Sequence, residues 1–312
     1  MSQLIHAVAR IRAMESELLT QNSANRMISA SSFESAYAVL DELGYAKESS
    51  VFRDTYNYEG AIEAGLFQTS QIFKAFEIKS IQKILTVVFD IQNIILYIKA
   101  LDKSDKDTDN VEVDKKDKKN LVDSSEIISY GYYSKAVLDN AFFNNSTSSE
   151  YSELLTLIRK INNCETLFEK EELVEEEIFK SATKEAGKNK FLISFLNKIK
   201  YSQELKKEIL IDSKEVLLKR YKNCSTLQKI LSSVFAYTSK QEQIFALEIL
   251  LDEAMVEFLK KESAGTIDGY EVLFSFFWRK ERNARVIRSI LLAKKSGISP
   301  ESIKAEFDAF IF

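Results

Sequence analysis

Hydrophobic residues recur at helical spacing through most of the 312-residue chain. Successive helical residues lie about 100° apart, and near the N-terminus this spacing gathers one apolar arc, formed by Leu4, Ile5, Val8, Ile11, Leu18 and Leu19. The same spacing predicts helices at residues 3–20, 25–28, 33–43, 56–76, 80–100, 135–140, 149–161, 167–185, 189–211, 241–261 and 269–296. The chain has only 8 Gly and 1 Pro, and so has few turn formers for a protein built of hairpins. We therefore predict an all-α fold.

The C-terminal stretch, residues 271–312, predicts a long helix, a tight stop and a short terminal helix. Gly297 suits the left-handed position that follows a helix. Ser299 and Pro300 then supply an N-cap and a first-turn proline. The aromatic run 274–278 is expected to be core rather than a ligand site.

The long C-terminal helix carries charge within an apolar surface. One stripe combines Phe274, Phe277, Glu281, Arg285, Arg288 and Leu292, and a second face is formed by Leu273, Phe276, Ile287, Ile290 and Leu291. A helix that is apolar on most of its circumference is normally enclosed. Removing one partner of an enclosed ion pair costs about 3–5 kcal/mol. The charges therefore either lock this helix to another part of the chain or meet a partner.

The first helix also carries charged residues within an apolar surface. Glu15 falls in the middle of the apolar arc, and Arg12 lies at its edge. Two interpretations remain open. Arg12 and Glu15 form a surface pair worth a few tenths of a kcal/mol, or Glu15 pairs with an arginine from another helix, such as Arg285 or Arg288.

The helix predicted at residues 80–100 is nearly apolar throughout but carries three polar residues on one face. Asp90, Asn93 and Tyr97 follow one another at helical spacing. An Asp and an Asn on one face of an apolar helix suit a hydrogen-bonded contact between helices.

Residues 102–125 change abruptly to mixed charges with few apolar anchors, which predicts a solvated mobile loop. Asp105, Asp107, Asp109 and Asn110 imitate half of a calcium loop, but Lys116 stands where such loops need a glutamate. The helix pairs on either side suggest three similar helical repeats of about 100 residues. We place them at 1–124 (with the charged loop), 125–220 and 221–312.

Composition excludes several classes of function. The net charge of −4 gives no field that favours nucleic acid. Two cysteines, Cys164 and Cys224, form no disulfide framework or metal motif, and they favour a reducing, cytoplasmic location. The N-terminus is no signal peptide, and the apolar run at residues 84–101 is broken by polar residues, so no membrane span is expected.

Catalytic chemistry is not expected either. The single His6 argues against a His-based metal cluster or nucleophilic site, and no phosphate-cradling loop is present. We predict no cofactor, no metal and no enzymatic activity of the chain's own.

Three separate stretches resemble one family, the C subunits of archaeal-type and vacuolar-type rotary ATPases, which are called d subunits in vacuolar complexes. The C-terminal match consists of Lys280, Glu281, Arg285, Ile287, Arg288, Ile290, Lys294, Gly297 and Ile298. The others are residues 9–19 and residues 89–100, the latter with Asp90 and Asn93. Asn283 and Val286 depart from the pattern, as does His6.

The resemblance implies a pseudo-threefold funnel of three helical-bundle units in a non-catalytic central-stalk subunit. Such subunits cap the membrane rotor ring (c/K ring) and receive the central-shaft subunits (D and F type), so that torque is coupled to ion transport. It implies a cytoplasmic position, peripheral to the membrane through the ring. The expected interface or interdomain residues are Arg10, Arg12, Glu15, Asp90, Asn93, Glu281, Arg285 and Arg288.

Two other classes of function remain open from the residues alone. One is a helical adaptor, outside any rotary motor, that binds partner helices in a groove. The other is an enzyme, which would require a pocket with clustered carboxylates of perturbed pKa.

Overall fold

The computed structural model describes residues 2–45, 57–75, 79–107, 122–123 and 126–308. Most of the charged segment at 102–125, including Asp109 and Asn110 of the calcium-loop imitation, lies outside these residues. Residues 102–107 are helical, so the prediction of a loop that begins at residue 102 is wrong there.

The described chain is built of α-helices, and it contains no β-strand, which confirms the predicted all-α fold. Two 3₁₀ turns, Glu15–Glu17 and Ser149–Tyr151, accompany the helices. The helices are α1 Ser2–Met14, α2 Gln21–Ser29, α3 Phe33–Tyr37, α4 Val39–Glu42, α5 Tyr58–Ala75, α6 Lys79–Leu85, α7 Val87–Asp107, α8 Lys135–Asn144, α9 Ser152–Ile161, α10 Leu167–Ala186, α11 Lys190–Ile211, α12 Lys214–Arg220, α13 Ser225–Val234, α14 Lys240–Ser263, α15 Tyr270–Lys295 and α16 Pro300–Asp308.

The chain forms two compact units. We call Met1–Ile72 with Asn197–Phe312 the terminal unit, and Phe73–Leu196 the middle unit. In the terminal unit, α15 packs against α1, α2, α3 and α14. In the middle unit, α10 packs against α6, α7 and α9. The division into three repeats at 1–124, 125–220 and 221–312 stays a prediction.

The first helix is shorter than its apolar pattern predicts. It ends at Met14 and passes into a 3₁₀ turn, and the backbone is extended at Leu18. Thr20 caps the next helix, because its hydroxyl accepts from the Ser23 amide at 3.2 Å while the Thr20 amide donates to the Ser23 hydroxyl at 2.8 Å. The predicted helix at 3–20 is therefore wrong in its last turns.

The helix predicted at 80–100 is divided at Thr86 into α6 and α7. The Thr86 hydroxyl lies 3.0 Å from the Gln82 carbonyl and 2.8 Å from the Asp90 carboxylate. Threonine hydroxyls that bond back to the preceding turn often bend helices. The apolar pattern of the sequence continues on both sides of Thr86, so it does not indicate this break.

The C-terminal prediction is confirmed. Gly297 has φ of 72°, in the left-handed region, and the Ser299 hydroxyl accepts from the Ser302 amide at 3.2 Å at the start of α16. The aromatic run is core, since Phe274, Phe276 and Phe277 are fully buried. No helix in the described part of the chain is long and apolar enough to cross a membrane.

Candidate functional site

The charged residues of α15 and their partners form a continuous set of contacts in the terminal unit, which we call the charged seam. A helix of this length spans about 39 Å at 1.5 Å per residue. Along it, Arg279, Lys280, Glu281, Arg282, Arg285 and Arg288 each contact a residue of opposite charge. The seam therefore ties α15 to several other segments of its unit.

The most deeply buried member of the charged seam is Lys280, whose side chain is fully enclosed. Its ammonium donates to the Leu43 carbonyl, lies 4.3 Å from the centre of the Tyr45 ring, and lies 3.6 Å from the Glu17 carboxylate. Gly44, at φ of 68°, joins Leu43 to Tyr45. A buried ammonium needs such compensation, because burial without a partner costs several kcal/mol.

A second cluster surrounds Asp252 of α14. Its carboxylate forms an ion pair with Arg282 at 2.9 Å and accepts hydrogen bonds from Arg285 at 2.9 Å and from the Trp278 indole at 3.0 Å. Only 12% of the Asp252 side chain is exposed. One carboxylate thus fixes three side chains on successive turns of α15 against α14.

Glu281 completes this cluster from α15 itself, because its carboxylate lies 3.0 Å from Arg285. Burial raises the pKa of Glu281 above its ordinary value, and the Arg285 charge only partly opposes this. Burial acts to lower the pKa of Arg285, but Glu281 and Asp252 outweigh it and raise that pKa. The guanidinium therefore stays charged and holds the pair together.

The far end of the charged seam binds α5. Arg288 donates to Glu59 at 2.8 Å and to Glu63 at 2.7 Å. A planar guanidinium that reaches two carboxylates orients both more strictly than an ammonium could. One turn and a half further on, Lys294 donates to the Ala30 carbonyl at 2.8 Å.

Glu15 pairs with two arginines, one local and one from another helix. Arg12 lies 2.9 Å from it, and Arg12 also donates to the Ser263 carbonyl at 2.9 Å. The arginine from the other helix is Arg279, at 3.8 Å. Both interpretations of Glu15 are thus present, but the suggested partners Arg285 and Arg288 were wrong.

Helical geometry explains why Glu15 meets Arg279 and neither Arg285 nor Arg288. Arg288 stands nine residues beyond Arg279, which turns its side chain about 180° to the opposite side of α15. Arg285 points to α14, where Asp252 holds it. Arg10 is exposed on α1.

Asp90 and Asn93 form a separate polar cluster in the middle unit. The Asp90 carboxylate, which is buried, accepts from the Tyr133 amide at 3.1 Å. The Asn93 side chain donates to the Ile128 carbonyl at 3.0 Å and accepts from the Ile128 amide at 2.9 Å. Both residues therefore hold the backbone of the segment before α8, and not a second helix as we expected.

Burial raises the pKa of Asp90 to about 7, although the Tyr133 amide, Thr86 hydroxyl and Tyr132 amide favour the ionised form. A side chain at position 131 would crowd this carboxylate, because a Cβ there would lie 2.8 Å from Asp90 Oδ1. Tyr97, on the same face, donates to Asp139 of α8 at 2.6 Å and so contacts a second helix, a contact that was expected of Asp90 and Asn93.

Lys280, Asp252 and Arg279 belong to the charged seam but are absent from the predicted site residues. Lys280 lies in the C-terminal motif, and Asp252 interrupts an apolar run of α14. The sequence therefore contained a reason to select both as site residues. It contained none for Arg279. The role of the eight predicted residues as interface or interdomain contacts stays a prediction.

The chemistry of these clusters is electrostatic. Each carboxylate of the charged seam faces a cation, an arrangement that fixes side chains in place. Within the described residues, no group of three or more His, Cys, Asp or Glu side chains is placed to hold a metal ion.

One family of known proteins matches this chain. The model of the ATP synthase (C/AC39) subunit family matches residues 7–306, nearly the whole chain. The chain therefore belongs to the ATP synthase (C/AC39) subunit family. No curated protein matches the sequence.

Proposed function

We propose that the chain is a non-catalytic central-stalk subunit of an A/V-type rotary ATPase that couples the central shaft to the membrane rotor ring for ion transport. The observation that carries this proposal is the family match over residues 7–306. The partners would be the rotor ring (c/K ring) and the shaft subunits (D and F type). The chain would act from the cytoplasmic side, peripheral to the membrane.

The charged seam supports the mechanical part of this proposal. A subunit that transmits torque must not deform under load. In the terminal unit, α15 is held to α14 through Asp252, to α5 through Arg288, and to residues 43–45 through Lys280. These contacts oppose sliding of α15, because any shift of the helix would separate several ion pairs at once.

We propose that three helical repeats, at 1–124, 125–220 and 221–312, form a pseudo-threefold funnel around the shaft. Asp90 and Asn93 would stiffen the middle unit, and Glu15, Glu281 and Arg288 the terminal one. Arg12 and Arg285 keep 39% and 49% of their side chains exposed, so they can also face a partner. Arg10, which is exposed, is proposed as a direct partner contact.

Co-purification tests the proposed partners. The chain would carry an affinity tag, be expressed in its native host, and be recovered from detergent-solubilised membranes for mass spectrometry. The proposal expects ring and shaft subunits in the eluate. A chain recovered alone, or with a soluble helical partner outside the ATPase, would contradict it.

A matched pair of charge reversals tests Arg10. Arg10→Glu is expected to lower the recovery of shaft or ring subunits, while Arg159→Glu, which reverses another exposed arginine, in the middle unit, should leave recovery unchanged. Equal recovery with both variants would remove Arg10 from the proposed interface.

A further inference from the structure

A small pocket of the terminal unit has a cationic side and an aliphatic side. It has a volume of about 140 Å³ and lies between α14, α15 and the residues that follow α1. Lys260, Arg279, Arg282 and Asn283 form its polar wall. The rest of the lining is aliphatic and includes Leu19 and Val286. No carboxylate is among the residues that line it.

The cations of this pocket are incompletely neutralised within the described chain. Glu15 is 3.8 Å from Arg279, which exceeds hydrogen-bonding distance. Arg282 is paired through Nε with Asp252 at 2.9 Å, and its Nη2 lies 3.8 Å from the Glu253 carboxylate. Lys260 is exposed and has no ion pair among the residues that the structure describes. Burial lowers the pKa of Arg279, Glu15 opposes this in part, and the nearby charge of Arg12 lowers that pKa further. An anion in the pocket would supply the missing charge.

The two sides of the pocket together select the kind of anion. A free phosphate is polar on every face, and any oxygen turned towards the aliphatic side would lack a hydrogen bond. A carboxylate on a short methylene stem fits both sides. An apolar cavity of about 150 Å³ holds benzene, and the glutamate side chain, with five heavy atoms, is of comparable size.

We propose that this pocket receives a glutamate side chain of a protein partner. Its carboxylate would lie between Lys260 and Arg279, and its methylene stem against Leu19 and Val286. The inference rests on the proposed stalk role only for the identity of the partner. Binding of the carboxylate itself can be tested on the chain alone. The pocket proposal and the proposed stalk function can therefore fail separately.

Methyl NMR of the full chain, labelled at Leu and Val methyl groups, tests the ligand class with butyrate as the probe. The methyl resonances of Leu19 and Val286 should shift and saturate, with a dissociation constant in the millimolar range. Butyramide, which has the same shape without charge, should produce no saturable shift. If butyramide or inorganic phosphate shifts these resonances as strongly as butyrate, the assignment is overturned.

Two neighbouring lysines provide a matched control. Lys260 and Lys261 are both exposed in the last turn of α14, but only Lys260 lines the pocket. Lys260→Glu should weaken butyrate binding about tenfold or more, the effect of losing one charge-assisted hydrogen bond. Lys261→Glu should change it less than about twofold. Equal effects of the two variants would overturn the proposal.

Zero-length carbodiimide cross-linking tests the protein partner. The reagent joins an amine to a carboxyl in direct contact, with loss of water. In the complex recovered with the tagged chain, a peptide that links Lys260 to a glutamate of another subunit supports the proposal. If other lysines of the chain are cross-linked to partners and Lys260 is not, the pocket is not a protein contact.

Discussion

Lys280 and Tyr45 hold each other at two points, although they are 235 residues apart in the chain. The Lys280 ammonium lies 4.3 Å from the centre of the Tyr45 ring, and the Tyr45 hydroxyl donates to the Lys280 carbonyl at 2.9 Å. Both residues are fully buried. The pairing joins the segment after α4 to the middle of α15.

Replacing Lys280 with methionine keeps the volume and removes the charge. We expect the free energy of unfolding to fall by about 3 kcal/mol, because the Leu43 carbonyl and the Glu17 carboxylate lose their buried cation. Chemical denaturation measures this. Lys295→Met is the control: Lys295 also lies over a tyrosine, 5.6 Å from the centre of the Tyr58 ring, but is exposed. It should cost less than about 1 kcal/mol. If the two variants lose the same free energy of unfolding, the burial of Lys280 does not strengthen its contribution to stability.

Gly44 is expected to tolerate alanine less well than other left-handed glycines. Its φ of 68° is nearly that of Gly297, at 72°. A Cβ at Gly44 would meet Glu17 Oε2 at 2.1 Å, whereas a Cβ at Gly297 meets nothing within 4 Å. Gly297→Ala should cost about 1–2 kcal/mol from backbone strain alone. Gly44→Ala should cost more, because Glu17 must move away from Lys280. Thermal unfolding of the two variants compares them, and equal costs would refute the role of Glu17.

Burial, and not distance, should decide the strength of the ion pairs. Arg26 and Glu42 approach within 2.6 Å, but half of each side chain is exposed. Arg282 and Asp252 are 2.9 Å apart and much less exposed, at 20% and 12%. Double-mutant cycles with alanine should give a coupling free energy of about 1–3 kcal/mol for the inner pair and less than about 1 kcal/mol for the outer one. A larger coupling for Arg26 and Glu42 would contradict this account.

The stability of the middle unit should depend on pH through Asp90. The Thr86 hydroxyl has one hydrogen but contacts two acceptors, the Gln82 carbonyl and Asp90 Oδ2. A protonated Asp90 resolves this conflict by donating the second hydrogen. The pKa of Asp90 is raised from 3.8 to about 7, so the folded state binds the proton more tightly than the unfolded chain does. The corresponding stabilisation, on the order of 4 kcal/mol, is present below about pH 4 and is lost as the pH rises through about 7.

Hydrogen exchange of the Tyr133 amide, which donates to Asp90, measures this dependence. Its protection should decrease as the pH rises through about 7. Asp90→Asn retains an oxygen for the amide and a donor for Thr86, so its protection should stay constant over the same range. An identical pH profile in the two proteins would exclude Asp90 as the origin.

Local signals in the sequence predicted the C-terminal part of the fold well. Gly297 and Pro300 act on their own backbone, and the long helix before them follows from periodicity. The end of α1 and the division at Thr86 were missed because the apolar pattern continues through both. The helical extension of α7 to Asp107 was missed because charged composition was interpreted as a loop, although Lys and Asp can extend a solvated helix.

The partners within the charged seam could not be predicted from the sequence. For Glu15, an arginine from another helix was one of two open interpretations, and in the structure that arginine is Arg279. Lys280 is fully buried, which is rare for a lysine and was not predicted from its place in the C-terminal motif. Which charge meets which depends on how distant helices pack, and periodicity within one helix does not contain that information.

Removing the chain from the assembled complex tests the proposed coupling most directly. Membrane vesicles from a strain that lacks this chain would be assayed together for ATP hydrolysis and for ATP-driven ion uptake. The account predicts that ion uptake is lost while the ATP-hydrolysing head stays active, and that re-expression of the chain restores uptake. Ion uptake that persists at the normal rate without the chain would contradict it.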